Sequence, residues 1–349
     1  MASPQHMTTS STGRHAGPDD ADVTPSAPSG GPPPVTLTGS AASRLGDVLF
    51  RRLATGSGML VTVVIALIAA FLLISAAPSL ADNEANFFTY SGDWIVDGGV
   101  LKFGIPKLLY ATLLVSAIAL LIAMPIALGI SVFLTEYAPK RLIAPVTYLV
   151  DLLAAVPSIV YGLWGILVLG PAMVPVNKWL VNNLGFLPFF REPKDNVTNM
   201  STGGTLLTAG IVLAVMILPI ITAVTREVFI QTPVAHREAA LALGATKWEV
   251  VRTAVLPFGF SGYISGSMLG LGRALGETMA LYLIISNSGP IDFNLMESGE
   301  TFATKIANNA AEFDSPAKTG AFISAGLALF VLTFIVNAAA RAIVGRRQA

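Results

Sequence analysis

Apolar residues gather in six long blocks along the chain, each close to or beyond the ~20 residues that a helix needs to cross the hydrocarbon core of a bilayer. The blocks occupy 59–80, 106–135, 142–170, 204–225, 258–286 and 319–343, separated by polar stretches that hold nearly all the charge. This pattern predicts an all-α, polytopic membrane fold of about six transmembrane helices. Several blocks exceed the minimum length, so tilt, kinks or extension beyond the lipid is expected. Pro125 and Pro157 fall inside two of them, where a proline frees a backbone carbonyl and bends the helix.

Residues 1–42 break the pattern. They are rich in Ser, Thr, Pro and Gly, including Pro32-Pro33-Pro34, and nearly lack large apolar side chains. That composition predicts a disordered cytoplasmic tail before a transmembrane domain over 43–349. Arg51-Arg52, followed by an apolar run ending Ala77-Pro78-Ser79-Leu80-Ala81, imitates a signal peptide. The run is longer than a typical signal core and follows a long N-terminal stretch, so it is read as a span that stays in place.

Composition agrees with the blocks: 53% of residues are hydrophobic, 12% are charged, and the mean hydropathy is +0.68. A soluble fold of 349 residues could not hide that much apolar surface. Basic and acidic residues number 21 each, which gives no sign of a nucleic-acid partner. Their placement is more telling. With the N-terminus inside, cytoplasmic segments hold 13 of the 21 basic residues, outer segments hold 7, and Arg273 alone lies in a span. The bias predicts N- and C-termini on the cytoplasmic side of the cell membrane. Absence of cysteine removes disulfides, thiolate metal sites and cysteine nucleophiles. The three histidines, His6, His15 and His236, are too scattered to suggest a metal site, and no Ser, His and acid gather within the spans to suggest a hydrolase.

The loop between the fourth and fifth blocks predicts structure of its own. Thr232 can cap a helix with Pro233 at its first position, and Gly244 can stop it about three turns later. Thr246 then offers a capping box with Glu249, opening a second helix that leads to Leu256-Pro257. A short, alanine-rich helix of this kind suits either a groove of a partner protein or the membrane surface.

Ionisable residues within the bilayer are expensive and point to function. In the fifth block, Arg273 and Glu277 are four residues apart, so in a continuous helix they share a face and can pair. Gly262, Gly266 and Gly270 fall on that same side. A pathway arginine would present a forked donor set to a tetrahedral oxyanion, with Glu277 holding it and offsetting its charge. A structural ion pair locking neighbouring helices is the other reading. Asp151 could line an inner cavity or bond a neighbouring helix, while Pro157-Ser158 could shape a gate or a simple kink.

Two sets of residues carry a family resemblance. Glu238-Ala239-Ala240, then Gly244 and Leu256-Pro257, resemble the EAA loop of ABC importer permeases, which in that family docks into the ATP-hydrolysing subunit. Gly272-Arg273-Ala274-Leu275-Gly276-Glu277-Thr278-Met279-Ala280 is similar to the fifth-helix signature of PstC-type permeases of high-affinity phosphate ABC importers. Phe133-Leu134-Thr135-Glu136-Tyr137-Ala138-Pro139 and the run from Asp151 to Gly162 also resemble that family, so the likeness covers roughly 105–345. Departures are the long N-terminal tail and Asp151, which stands where a Glu is expected.

The resemblance implies a type I ABC importer permease fold, with the loop 232–256 as coupling element and Arg273 and Glu277 in the phosphate pathway. Implied partners are a sister permease of PstA type, two ATPase subunits of PstB type and an extracytoplasmic binding protein of PstS type. The segments 176–203 and 287–318 are long enough to receive the last of these. No cofactor is expected in this chain. ATP and Mg belong to the partner ATPase, since none of the eight lysines here follows a glycine, as a Walker A loop requires. The chain is thus expected to be a transport subunit rather than an enzyme. A permease for another tetrahedral oxyanion, and an ion-coupled secondary anion transporter, are the alternatives. The latter would not need the ordered loop 232–256, and a pure scaffold would leave Arg273 and Glu277 without purpose.

Overall fold

The computed structural model describes residues 41–193, 197–285 and 294–345. Thirteen α-helices are described: α1 Ala41–Ala81, α2 Pro106–Val132, α3 Lys140–Ala155, α4 Ser158–Trp164, α5 Gly170–Leu184, α6 Val197–Thr202, α7 Leu206–Ile230, α8 Val234–Ala242, α9 Lys247–Val250, α10 Leu256–Leu275, α11 Met279–Ile284, α12 Phe302–Asn308 and α13 Pro316–Gly345. Wider π turns at Phe133–Tyr137, Gly165–Leu169 and Val251–Val255 continue α2, join α4 to α5 and join α9 to α10. No strand is present among the described residues. The chain divides into two units at Leu60, and everything from Val61 onward belongs to the second. Of the tail expected over 1–42, residues 1–40 lie outside the described residues, while Ala41 and Ala42 open α1.

Among the described residues, six helical stretches are long and apolar enough to cross a membrane: Val48–Ala81, Pro106–Tyr137, Ser158–Leu184, Leu206–Ile230, Lys247–Leu275 and Pro316–Ala342. The number matches the expectation, but two of the expected blocks are not continuous helices. In the third block, Pro157 forces Val156 out of helical geometry to ψ 129° and itself takes ψ 137°, so α3 stops and α4 starts anew. The spanning stretch is therefore displaced to Ser158–Leu184, and α3 is a separate amphipathic helix. Pro125 does not interrupt α2. The fifth block breaks at Gly276–Thr278, which separates α10 from α11.

Small side chains set the packing around α7. Ala111, Val115, Ala119, Ala123 and Ala127, one per turn of α2, are buried in a core shared with Ala209, Val212, Leu213, Met216 and Ile217 of α7. From the other side, Gly262, Gly266 and Gly270 of α10 leave room for Val228, Val224 and Ile221 of α7. A side chain on any of these glycines would collide with α7, so the three helices form one closely packed slab. The glycine face predicted from sequence is thus a helix-packing surface.

Outside the spans, Trp94 stacks on Phe322 at 5.6 Å, lies 5.1 Å from Phe103, and donates from Nε1 to the Gly104 carbonyl at 2.8 Å. The segment 82–104 thus closes over the start of α13. Within 287–318, the described stretch from Asn294 to Thr304 is packed into the protein. Asn294, Met296, Glu297, Thr301, Phe302 and Thr304 are buried, and Leu206 and Leu207 N–H donate to the Glu297 and Leu295 carbonyls.

Candidate functional site

The two chain breaks meet. Gly162 of α4 lies so close to α11 that a Cβ there would stand 2.8 Å from Ala280 Cα and 3.0 Å from its carbonyl oxygen. Val156, Tyr161, Ala274 and Leu281 share one core cluster. Pro157 and Arg273 are the sequence neighbours of Val156 and Ala274 in this cluster. Ser158 opens α4 and is half-buried. The Tyr161 hydroxyl bridges the first break by donating to the Leu153 carbonyl at 2.8 Å. Sequence reasoning missed Tyr161. A tyrosine four residues after a helix-breaking proline, able to reach back one turn across the gap, was the available signal.

Arg273 lies in the last turn of α10, half-buried, and its charge reaches Tyr161. The ion pair expected with Glu277 is not formed among the described residues. Gly276 has φ −96° and ψ 5°, so the helix has ended and Glu277 no longer stands one turn above Arg273 on a common face. Glu277, only 7% exposed, instead accepts from the Ala280 N–H at 3.0 Å through Oε1. This satisfies an orphan donor of the short α11 and places a negative group at its positive end. Among the described residues, Arg273 forms no ion pair, and Glu277 is engaged by the backbone of α11.

Asp151 does not join this group. It sits exposed on α3, two turns before the break, and lines a cavity of about 480 Å³ with Thr147, Thr222, Arg226 and Glu227.

The loop between α7 and α10 has the predicted helix–turn–helix shape. Glu238, Ala239 and Ala240 lie on α8, which has no buried residue. Gly244 has φ +81°, a conformation that a side chain would strain. Thr246 and Glu249 form the expected reciprocal capping box. Two details differ. Thr232 is not the cap of α8; Pro233 holds that position, and the Thr232 hydroxyl is buried without a hydrogen bond. Leu256-Pro257 does not end the second helix. The π turn Val251–Val255 widens the backbone just before Pro257, and the helix runs on into α10. Leu241, Leu243 and Trp248 present large apolar surfaces to solvent, Leu243 being 89% exposed. An apolar exposed face of this kind suits contact with a partner protein or with the membrane surface. Among the described residues there is no cluster of potential metal ligands.

Spans with interrupted helices around an intramembrane cation, joined by an exposed helix–turn–helix, define a polytopic membrane transport permease. The profile of the family described as binding-protein-dependent transport system inner membrane component matches residues 126–348, and the chain belongs to this family. It is 56% identical to "Phosphate transport system permease protein PstC 2" of Mycobacterium tuberculosis, over 87% of this chain and 93% of that relative. It is 52% identical to the PstC permease of Mycobacterium leprae, over 90% and 98% of the two chains. With the Xylella fastidiosa (strain Temecula1) PstC permease it shares 40% identity, over 84% and 89%. The chain is a multi-pass membrane transport subunit.

Proposed function

We propose that this chain is one of two permeases in an ATP-driven importer that moves inorganic phosphate into the cell. The observation that carries this reading is Arg273, a cation inside a span that forms no ion pair among the described residues and lies at the end of α10, next to a helix break. A planar guanidinium offers parallel donors to a phosphate oxygen pair. Interrupted helices supply the hinges by which such a junction could open to one side and then the other. The PstC names of the relatives support phosphate over other tetrahedral oxyanions.

In this reading a PstA-type sister permease completes the pathway and both termini are cytoplasmic. A PstS-type binding protein delivers phosphate from outside. Two PstB-type ATPases, which use ATP and Mg, bind the loop 232–256 through Glu238, Ala239, Ala240 and the exposed Leu241, Leu243 and Trp248. Gly244 and the Thr246–Glu249 box keep this loop in shape. The breaks at Pro157-Ser158 and Gly276 bend as the ATPases close, and Asp151 borders the inner cavity.

The test is phosphate uptake into proteoliposomes holding the assembled complex, with and without ATP. Arg273→Ala should abolish uptake while the complex stays intact, and Arg273→Lys should restore little because a point charge does not reproduce the fork. Normal uptake by Arg273→Ala would remove the arginine from the pathway. Uptake driven by a proton gradient without ATP would overturn the importer reading.

A further inference from the structure

One buried contact belongs neither to the helix breaks nor to the exposed docking face. Arg237, in the first turn of α8, places Nη2 2.9 Å from Glu136 Oε1 in the π turn that ends α2. The same nitrogen donates to the Phe229 carbonyl at 2.9 Å. The two side chains keep only 26% and 13% of their surface exposed. Phe229 is fully buried in a cluster with Val132, Val251 and Val255, where the ends of α2 and α7 meet the start of the α9–α10 stretch. One guanidinium therefore spans the ends of α2, α7 and α8. Among the described residues, no other α8 side chain makes a hydrogen bond or ion pair to another element.

The character of the contact matters as well. No N–H of Arg237 is aligned on Glu136 Oε1, and Arg237 Nε has no acceptor. Charge at 2.9 Å holds the two together, and the bond to the Phe229 carbonyl keeps the guanidinium between the ends of α2 and α7. Removing one partner would leave the other charge uncompensated in a half-buried site. Its neighbour α2 packs along α7, and α7 packs on α10. α2, α7 and α10 thus form a continuous packed route from the end of α2 to the helix that carries Arg273.

We infer that Glu136 and Arg237 are positioning residues that pass the displacement of α8 to the end of α2, and so link the ATPase stroke to the pathway. This inference rests on the reading of α8 as the coupling helix. The experiment is the number of phosphate ions imported per ATP hydrolysed, measured in proteoliposomes of the complete complex. Glu136→Gln and Arg237→Gln should each lower this ratio by about 5–150-fold, the usual range of one coupling free energy. Arg237→Lys, which keeps the charge, should retain at least half of it. The neutral double variant Glu136→Gln/Arg237→Gln leaves no charge unpaired, so a purely structural pair would recover in it; transmission predicts that its ratio stays low. A wild-type ratio in the double variant, with ATP-driven wild-type uptake, would overturn the inference alone. Wild-type uptake that needs no ATP would overturn the proposed function and this inference with it.

Discussion

The contact between α4 and α11 can be tested by adding a single methyl group. A Cβ at Gly162 would lie 2.8 Å from Ala280 Cα, whereas ordinary contact begins at 3.4 Å, so the two segments must part by about 0.6 Å. The obstacle is backbone, and Ala280 is fully buried and held by the Glu277 cap, so neither neighbour can turn aside. Overpacking of this sort costs about 1–3 kcal/mol. The cost falls on the conformation in which α4 and α11 touch, and at about 1.4 kcal/mol per tenfold it depletes that conformation by roughly 5- to 150-fold. Gly162→Ala should therefore lower phosphate uptake by about fivefold or more if this packing is part of the transport cycle. The matched control is Gly129→Ala in α2, where no atom lies within 4 Å of the added carbon. Alanine there relieves the helix cost of glycine, about 1 kcal/mol, and should leave uptake unchanged or the complex slightly more stable. Uptake and thermal unfolding of both complexes would be measured in the same lipid. If Gly162→Ala transports as well as Gly129→Ala, the junction of the two breaks is not a moving part.

Glu277→Gln keeps a carbonyl oxygen able to accept from Ala280 N–H, so uptake should stay within a few-fold of wild type, whereas Glu277→Ala should lose far more; equal loss in both would restore the ion-pair reading with Arg273. Thr246→Ala removes the hydroxyl half of the capping box, leaving the backbone N–H of residue 246 on the Glu249 carboxylate, and should weaken the start of α9 by about 1 kcal/mol, read as a roughly fivefold weaker binding of the ATPase subunit in a titration; unchanged binding would separate the loop from docking. Trp94→Ala should lower the unfolding temperature of the complex, since loss of a packed Trp costs about 3–5 kcal/mol, and a temperature equal to wild type would place Trp94 outside the packed core.

Much of this architecture is legible because a bilayer imposes length and polarity on a spanning helix whatever its neighbours are. Six blocks, the stop at Gly244 and the Thr246–Glu249 box all depend on residues close in sequence, and each is found in the structure. What composition hides is continuity. Ile159 to Leu169 and Met279 to Ile285 are as apolar as any uninterrupted helix, so the run through Pro157 reads as a kink and the run through Gly276 reads as helix throughout. The pair Arg273–Glu277 then follows from a spacing that holds only in an unbroken helix. One residue in non-helical geometry, Gly276, is enough to redirect Glu277 from Arg273 to Ala280 N–H. Likewise Glu136 and Arg237 lie about 100 positions apart, and no periodicity links positions so distant. Local rules reach caps and spans; the site depends on where two helices fail to continue, at Pro157, whose ring turns Val156 out of helical geometry, and at Gly276, which an apolar pattern alone does not mark.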